Sequence, residues 1–406
     1  MKETVRSRVK QTSLSLVQNK ISAIRRKDIQ RTGCRLIADG KISITGGLGK
    51  VNEDELFAKA ASFLAEAVEY PVAPTTGLKS NTDLRNLSLS DANLCSKIEF
   101  ILNSLKEACP SFFISNKANM NSIEYSIEND GGLDLKFADT YLSVSFLLKE
   151  ATSTGIMDTF FGITDRKLEE NRIIKTVKEI IEAFQNKVDL SDINLPVIID
   201  QSTLTRLFLR DLNGKLVGNN ASLFQQQIGQ KVFSENFTLK IASDPVETFS
   251  PEFDSEGTIA DSQVLNLVEN GIIKRPYTDK RTAMQYNFEN TGCASGAYDS
   301  VPSLGTCNLE INHSNKTLKE LLGGRHGILV AIASGGDFTS DGQFASPVQV
   351  AYLTDGENLL GRLPELTISG SIFDFFGKDF IGVSSNKIYC AGNERLAVVK
   401  LDCKRL

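Results

Sequence analysis

The residues of this 406-residue chain whose types best suit metal or acid–base chemistry are few. There are two histidines, His313 and His326, and they stand beside Ser314 and Gly327 rather than beside carboxylates. Zinc ligands usually come at closer, patterned spacing, so both read as turn or surface histidines. Glu252, Asp254 and Glu256 alternate along PEFDSEG and could bind a cation or transfer protons; such a run is more often a solvated turn. Gly-Lys occurs at Gly49, Gly214 and Gly377 without the spacing of a phosphate loop, and Gly46-Gly47, Gly323-Gly324 and Gly335-Gly336 read as turns. No G-x-S-x-G elbow is present, and Gly335 to Phe344 holds no histidine that could activate a serine.

The segment best placed to carry a site is Leu195 to Leu216. Its apolar run Leu195 to Ile199 predicts a buried strand ended at Asp200. A helix should follow, with Ser202 as N-cap, Leu204, Leu207 and Phe208 on one face, and Asn213-Gly214 supplying a left-handed end. A helix mounted on a buried strand holds its side chains rigidly. This one offers Thr205, Arg206, Arg210 and Asp211, and no His, Cys or Glu.

Around that segment the pattern predicts an α+β fold. Leu14, Leu16, Ile21, Ile24 and the run Cys34 to Ala38 alternate, and Asp39-Gly40 is a hairpin signal before Lys41 to Thr45. About ten residues are expected ahead of the first strand. Helices are expected over Asp54 to Tyr70, Asp91 to Ala108 and Thr164 to Val188, with Pro74 to Asn86 a polar connection. Strands are expected at Phe112 to Ile114, Ser122 to Glu128 and Leu133 to Leu148. After Leu216 helices become scarce, and short alternating runs are separated by turns such as Asn270-Gly271 and Asp355-Gly356. The expected organisation is an N-terminal region of antiparallel sheet and amphipathic helices, residues 1–189, and a β-rich domain, residues 190–406.

Composition narrows the function classes. The chain is 41% hydrophobic and 23% charged with a net charge of -5, which gives no basic footprint for nucleic acid. It has no apolar run of about 18 residues, so no membrane span is expected. Seven scattered cysteines without a C-x-x-C pair fit reduced thiols in the cytoplasm.

From Asp244 onward the motifs fall in an order that resembles the TldD/PmbA family. They are DPVETFSPEFDSEGT (Asp244 to Thr258), LNLVENGIIKRPYTDKRTA (Leu265 to Ala283), Thr291-Gly292, CNLEI, TLKELL, HGILV, GGDF (Gly335 to Phe338), TDGE, GRLPELTISGSIFDFFG and IGVSSN. The resemblance implies a two-part fold, a dimer with its working cleft inside, and two kinds of subunit. TldD-type chains carry a zinc-binding H-E-x-x-x-H helix; PmbA-type chains, also called TldE, lack it and pair with a TldD-type chain. In the family's register Thr205, Arg206 and Arg210 stand where H, E and H would be, give or take a position. Arginine stays protonated and offers zinc no lone pair. The family's thiol ligand would match Cys390.

The expectation is therefore a TldE/PmbA-like subunit without a metal of its own. It would complete the cleft of a cytoplasmic TldD-type zinc metalloprotease for peptide maturation or degradation, with zinc only in that partner. Gly335, Gly336, Asp337 and Phe338 are the expected cleft wall, against which an extended peptide could add as a strand. Two other readings stand beside it: a metallopeptidase using His313, His326 and Cys390, and a metal-free homodimer that binds peptide without cleaving it. The family's older label as modulators of DNA gyrase gains nothing from an acidic chain.

Overall fold

The computed structural model describes residues 1–86, 89–190 and 194–406. The chain opens with three antiparallel strands, β1 (Lys2–Val17), β2 (Lys20–Ala38) and β3 (Lys41–Leu48). Asp39 and Gly40 join β2 to β3 with φ of 51° and 71°, the left-handed pair that a two-residue hairpin turn demands. β1 starts at Lys2, without the expected ten-residue lead. Arg6, Arg8 and Lys10 hid the strand from a hydrophobic count, although Val5 is buried beneath them.

Helix α1 (Glu53–Ser62) is shorter than expected. The chain leaves it to place β4 (Val68–Glu69) on the edge of β3 and to bury Tyr70, so Phe63 is exposed instead of continuing an apolar face. The supposed polar connection contains β5 (Lys79–Leu84), which pairs parallel with a later strand. Helix α2 (Asp91–Ala108) has the expected bounds; Ser90 caps it, and Leu94, Ile98, Ile101, Leu102 and Leu105 are buried.

β6 (Phe112–Asn129) and β7 (Asp134–Glu150) are longer and less interrupted than the alternation implied. β8 (Thr159–Asp165) takes in Thr164 and Asp165, read as the start of the third helix, because TFFGITD pairs antiparallel with β7. Helix α3 therefore runs only over Glu170–Gln185. Together these strands form one sheet in the order β4-β3-β2-β1-β6-β7-β5, with β8 beside the far half of β7.

The second half begins with β9 (Val197–Asp200), α4 (Gln201–Asp211) and α5 (Gly214–Gly218). Then come β10 (Leu239–Ile241), α6 (Pro245–Thr248), β11 (Asn266–Glu269), β12 (Ile272–Ile273), α7 (Lys280–Tyr286), β13 (Ala294–Ser295), β14 (Ser303–Leu304), β15 (Leu309–Ile311) and α8 (Leu318–Leu322). The remainder is β16 (Gly327–Ala333), β17 (Asp337–Phe338), β18 (Gln343–Thr354), β19 (Leu359–Arg362), β20 (Leu366–Ser371), α9 (Ile372–Phe375), β21 (Phe380–Val383), β22 (Leu396–Val399) and β23 (Asp402–Arg405). A mixed sheet ordered β21-β22-β9-β16-β18-β20-β23 forms its centre, and a smaller sheet, β12-β11-β10-β15, lies beside it. The fold is thus α+β, with an antiparallel-dominated first sheet and a separate mixed second sheet.

The mixed sheet is buried on both faces, and its side-chain alternation shows how. Val197 and Ile199 point into a core with Phe208, Phe237 and Phe376. Ile198, Leu329, Tyr352 and Val398 point the other way, into a core that also holds Leu105, Phe146, Phe161 and Ile180 from the first half. That second core is continuous across the connection from α3 to β9, where the two expected units meet. Phe208 is the centre of the first, with Phe224, Phe233, Phe237 and Phe376 at centroid distances of 5.3–5.7 Å.

A polar knot ties the first sheet to the second half. PEFDSEG is neither strand nor solvated turn. Glu252 accepts from Ser80 and Thr82, Asp254 accepts from the backbone of Glu256, Thr258 and Ala294, and Glu256 accepts from Tyr70 Oη at 2.5 Å and Lys280 N at 3.0 Å. These carboxylates read as solvated because alternation alone does not reveal donors brought from distant segments. Burial, with Asp254 and Asp279 nearby, pushes the Glu256 carboxyl up to about 7 from 4.5.

The folded chain therefore binds this proton more tightly than the unfolded one. Stability from this group is complete below about pH 4.5 and is lost as pH rises toward 7, at up to about 1.4 kcal/mol per unit. Denaturant titrations across that range should show the slope, and E256Q should flatten it; an unchanged slope in the variant would assign it to other groups.

Candidate functional site

The strand–helix junction expected to carry a site is present, with different ends. Asp200, not Ser202, caps α4: its carboxylate accepts from Thr203 N at 2.9 Å, and Ser202 and Thr203 hydroxyls donate to the same side chain. Aspartate is as good a cap as serine, and here it is the residue with the extended backbone the position needs. Asn213-Gly214 does not close α4 in a left-handed turn. Asn213 has φ of -66° and caps α5, accepting from Lys215 N. Gly214 is required for a different reason: a Cβ there would come within 2.9 Å of Tyr277 O.

Leu204, Leu207 and Phe208 bury one face of α4 as expected. Thr205 is buried with them, and its hydroxyl donates to Gln201 O at 3.0 Å. Arg206 is exposed. Arg210 lies one turn further on the same face as Arg206, where its Nε donates to Asp211 Oδ2 at 2.7 Å and its Nη2 to Thr339 O at 3.4 Å. The last contact joins the helix to the loop that holds the expected cleft wall.

In that loop Gly335 has φ of 82° and Asp337 is exposed. Phe338 is not free to line a cleft, since its ring packs inward against Phe344 at 4.8 Å. A Cβ on Gly336 would strike Ser346, so that glycine permits close packing of the loop on β18. Before the loop, β16 pairs with β9 only through Ile328 and Leu329, opposite Val197 and Ile198, and β16 is irregular after Val330. Among the described residues, no strand covers Val330 to Ala333 on that side.

Beside this bare edge lies a cavity of about 280 Å³. Its apolar walls include Phe160, Ile180, Leu329, Tyr352 and Leu396, and its charged lining residues are Asp200 and Glu394. Tyr352 is held by a 2.7 Å hydrogen bond with Thr159. Burial and then Asp200 push the Glu394 carboxyl above its ordinary value. The cavity was not legible in the sequence, because Phe160, Leu329 and Glu394 are remote from one another and none belongs to a periodic chemical pattern. The end of an apolar run at Asp200 was its one local signal.

Cys390 also lines this cavity, and burial pushes its thiol up to about 11, away from the thiolate a metal would need. His313 and His326 are exposed on separate loops. Among the described residues no group of three His, Cys, Asp or Glu side chains is disposed to hold a metal ion. The α4 donors do not fit zinc either. Thr205 is already engaged, and two guanidinium groups repel a divalent cation.

The family model for the PmbA/TldA metallopeptidase C-terminal domain matches residues 193–399. A Saccharolobus solfataricus protein named as a zinc metalloprotease TldD homolog is 23% identical over 336 residues, covering 78% of this chain and 74% of that protein. An uncharacterized protein of Methanocaldococcus jannaschii, MJ0231, is 24% identical over 258 residues, and the match spans 61% of this chain and only 59% of that relative's length. The crystal structure of TldE from Thermococcus kodakarensis has a TM-score of 0.81 at 19% identity, covering 100% of this chain and 96% of that one, a likeness of fold.

Asp211 is the buried charge that sets the end of α4, accepting from Leu223 N at 2.8 Å as well as from Arg210. D211A should lose about 1–3 kcal/mol through the orphaned donor, whereas R206A should stay within about 0.5 kcal/mol. Chemical denaturation of both variants checks this, and equal losses would contradict it. With the family model covering more than half of the chain, the protein belongs to the PmbA/TldD metallopeptidase family.

Proposed function

We propose that this chain is the non-catalytic, TldE/PmbA-like subunit of a TldD-type zinc metalloprotease complex that matures or degrades peptides. The observation that carries the reading is α4, whose candidate metal-motif positions hold Thr205, Arg206 and Arg210. A hydroxyl bonded to its own helix and two permanent cations cannot supply zinc ligands or a general base. Zinc and the hydrolytic water would belong to a TldD-type partner carrying H-E-x-x-x-H. The likeness of the whole fold to a TldE structure supports the same assignment.

The contribution of this chain would be to hold substrate. An extended peptide can add to the bare side of β16 through main-chain hydrogen bonds, which bind without demanding a sequence. The Gly335 to Phe338 segment continues from that edge, so it remains the proposed cleft wall, with Asp337 and the glycine backbone as its accessible parts. Cytoplasmic placement accords with seven unpaired cysteines. No helix among the described residues is long and apolar enough to cross a membrane. The working assembly is proposed as a heterodimer with the TldD-type chain; a homodimer is the other arrangement.

Co-expression with such a partner should yield a complex that cleaves peptides. D337A in this chain should reduce that cleavage at least about fivefold, the loss of one contact worth about 1 kcal/mol. Unchanged cleavage by an intact complex would remove Asp337 from the cleft. Failure of the chains to associate would remove the subunit assignment. Phe338 is a poor probe, because truncating it unpacks the core.

A further inference from the structure

We propose that the cavity beside β16 is a subsite for a long aliphatic side chain ending in an ammonium group, a lysine of a peptide laid along the bare strand edge. The peptide part rests on the function proposed above; the chemistry of the cavity stands on its own lining. Its volume of about 280 Å³ lies just below the range of pockets that enclose whole drug-sized ligands, so one side chain is the natural occupant. The walls are apolar where Phe160, Leu329 and Leu396 contribute, which suits a methylene chain. Every charged residue of the lining is a carboxylate, Asp200 or Glu394.

The surrounding cations offset that negative character only in part, Lys387 acting on the Glu394 carboxyl without contacting it. Lys387 is engaged by Glu247 at 2.7 Å, and Arg395 is directed to Ser385 O at 3.2 Å and to Glu247 at 3.6 Å. Asp165 adds a further carboxylate, accepting from Asn393 at 3.2 Å. The start of α4 would ordinarily favour an anion, but Asp200 caps that end and offsets its partial positive charge. Among the described residues none forms an ion pair or hydrogen bond with the Glu394 side chain, and Gly392 lies beside its carboxyl with φ of 81°, leaving room that a side chain there would take. An acidic rim over an apolar shaft selects a cation on a hydrocarbon stem, and rejects both an acid and a short polar group.

The test uses the full chain with two probes. Saturation-transfer NMR should show hexylammonium bound at least about tenfold more tightly than 1-hexanol, and the preference should vanish in the E394Q/D200N double variant. Asparagine retains the N-cap, and an unchanged melting temperature confirms that the variant is folded. Equal binding of the two probes, or binding of neither, overturns the subsite whatever peptides do. A second titration compares extended decapeptides identical except for lysine, norleucine or glutamate at the centre. Preference for lysine, competed by hexylammonium, supports the assignment. Peptide binding without preference overturns the subsite and leaves peptide holding intact, whereas absence of all peptide binding removes the peptide origin of the ligand and the substrate-holding reading with it.

Discussion

The four-residue strand β9 and its abrupt end at Asp200 constrain everything built around it. β9 lies between β22 and β16, buried on both faces, so its position is fixed by side chains from both halves of the chain. Because it stops after four residues, the same carboxylate that ends the strand starts α4, and β16 continues paired only with β18 among the described strands.

The two polar centres differ in kind. The carboxylates of the Glu252–Glu256 segment accept from Ser80, Tyr70, Lys280 and backbone groups, leaving Glu252 Oε2 without a donor, so the segment works as a clasp between the first sheet and the second half. Asp200 and Glu394 border a void; Asp200 is held by Thr203 N and by the Ser202 and Thr203 hydroxyls, while among the described residues none donates to the Glu394 side chain. Carboxylates bonded to distant segments hold a fold together, and one at a cavity without a donor, as Glu394 is, stays available to a ligand. The same contrast applies on α4, where Asp211 is locked by Leu223 and Arg210 while Arg206 reaches into solvent.

Where local chemistry decides structure, the residues revealed it. Helix α2 could be read from its apolar repeat, and the hairpins at Asp39-Gly40 and Asn270-Gly271 from residues that tolerate positive φ. Where tertiary pairing decides, the reading failed. KSNTDL has little strand character and becomes β5 because β7 offers it a partner; Thr164 and Asp165 end β8 beside β7 rather than opening α3 for the same reason. The candidate site was half legible. Chemistry excluded zinc ligation by Thr205, Arg206 and Arg210 from residue type alone. The cavity needed Phe160, Leu329 and Glu394 brought together from distant segments, and Phe338 was assigned to a surface although its ring belongs to the core.

The central claim is that this member of a metallopeptidase family carries no metal centre of its own. Elemental analysis of the purified chain, with concentration from amino-acid analysis because it has no tryptophan, measures that directly. The account predicts zinc far below one equivalent per chain after dialysis, with a stoichiometric amount appearing only when a TldD-type partner is present. Close to one zinc per isolated chain, surviving dialysis, would contradict it and make this protein a metallopeptidase with ligands other than those of α4.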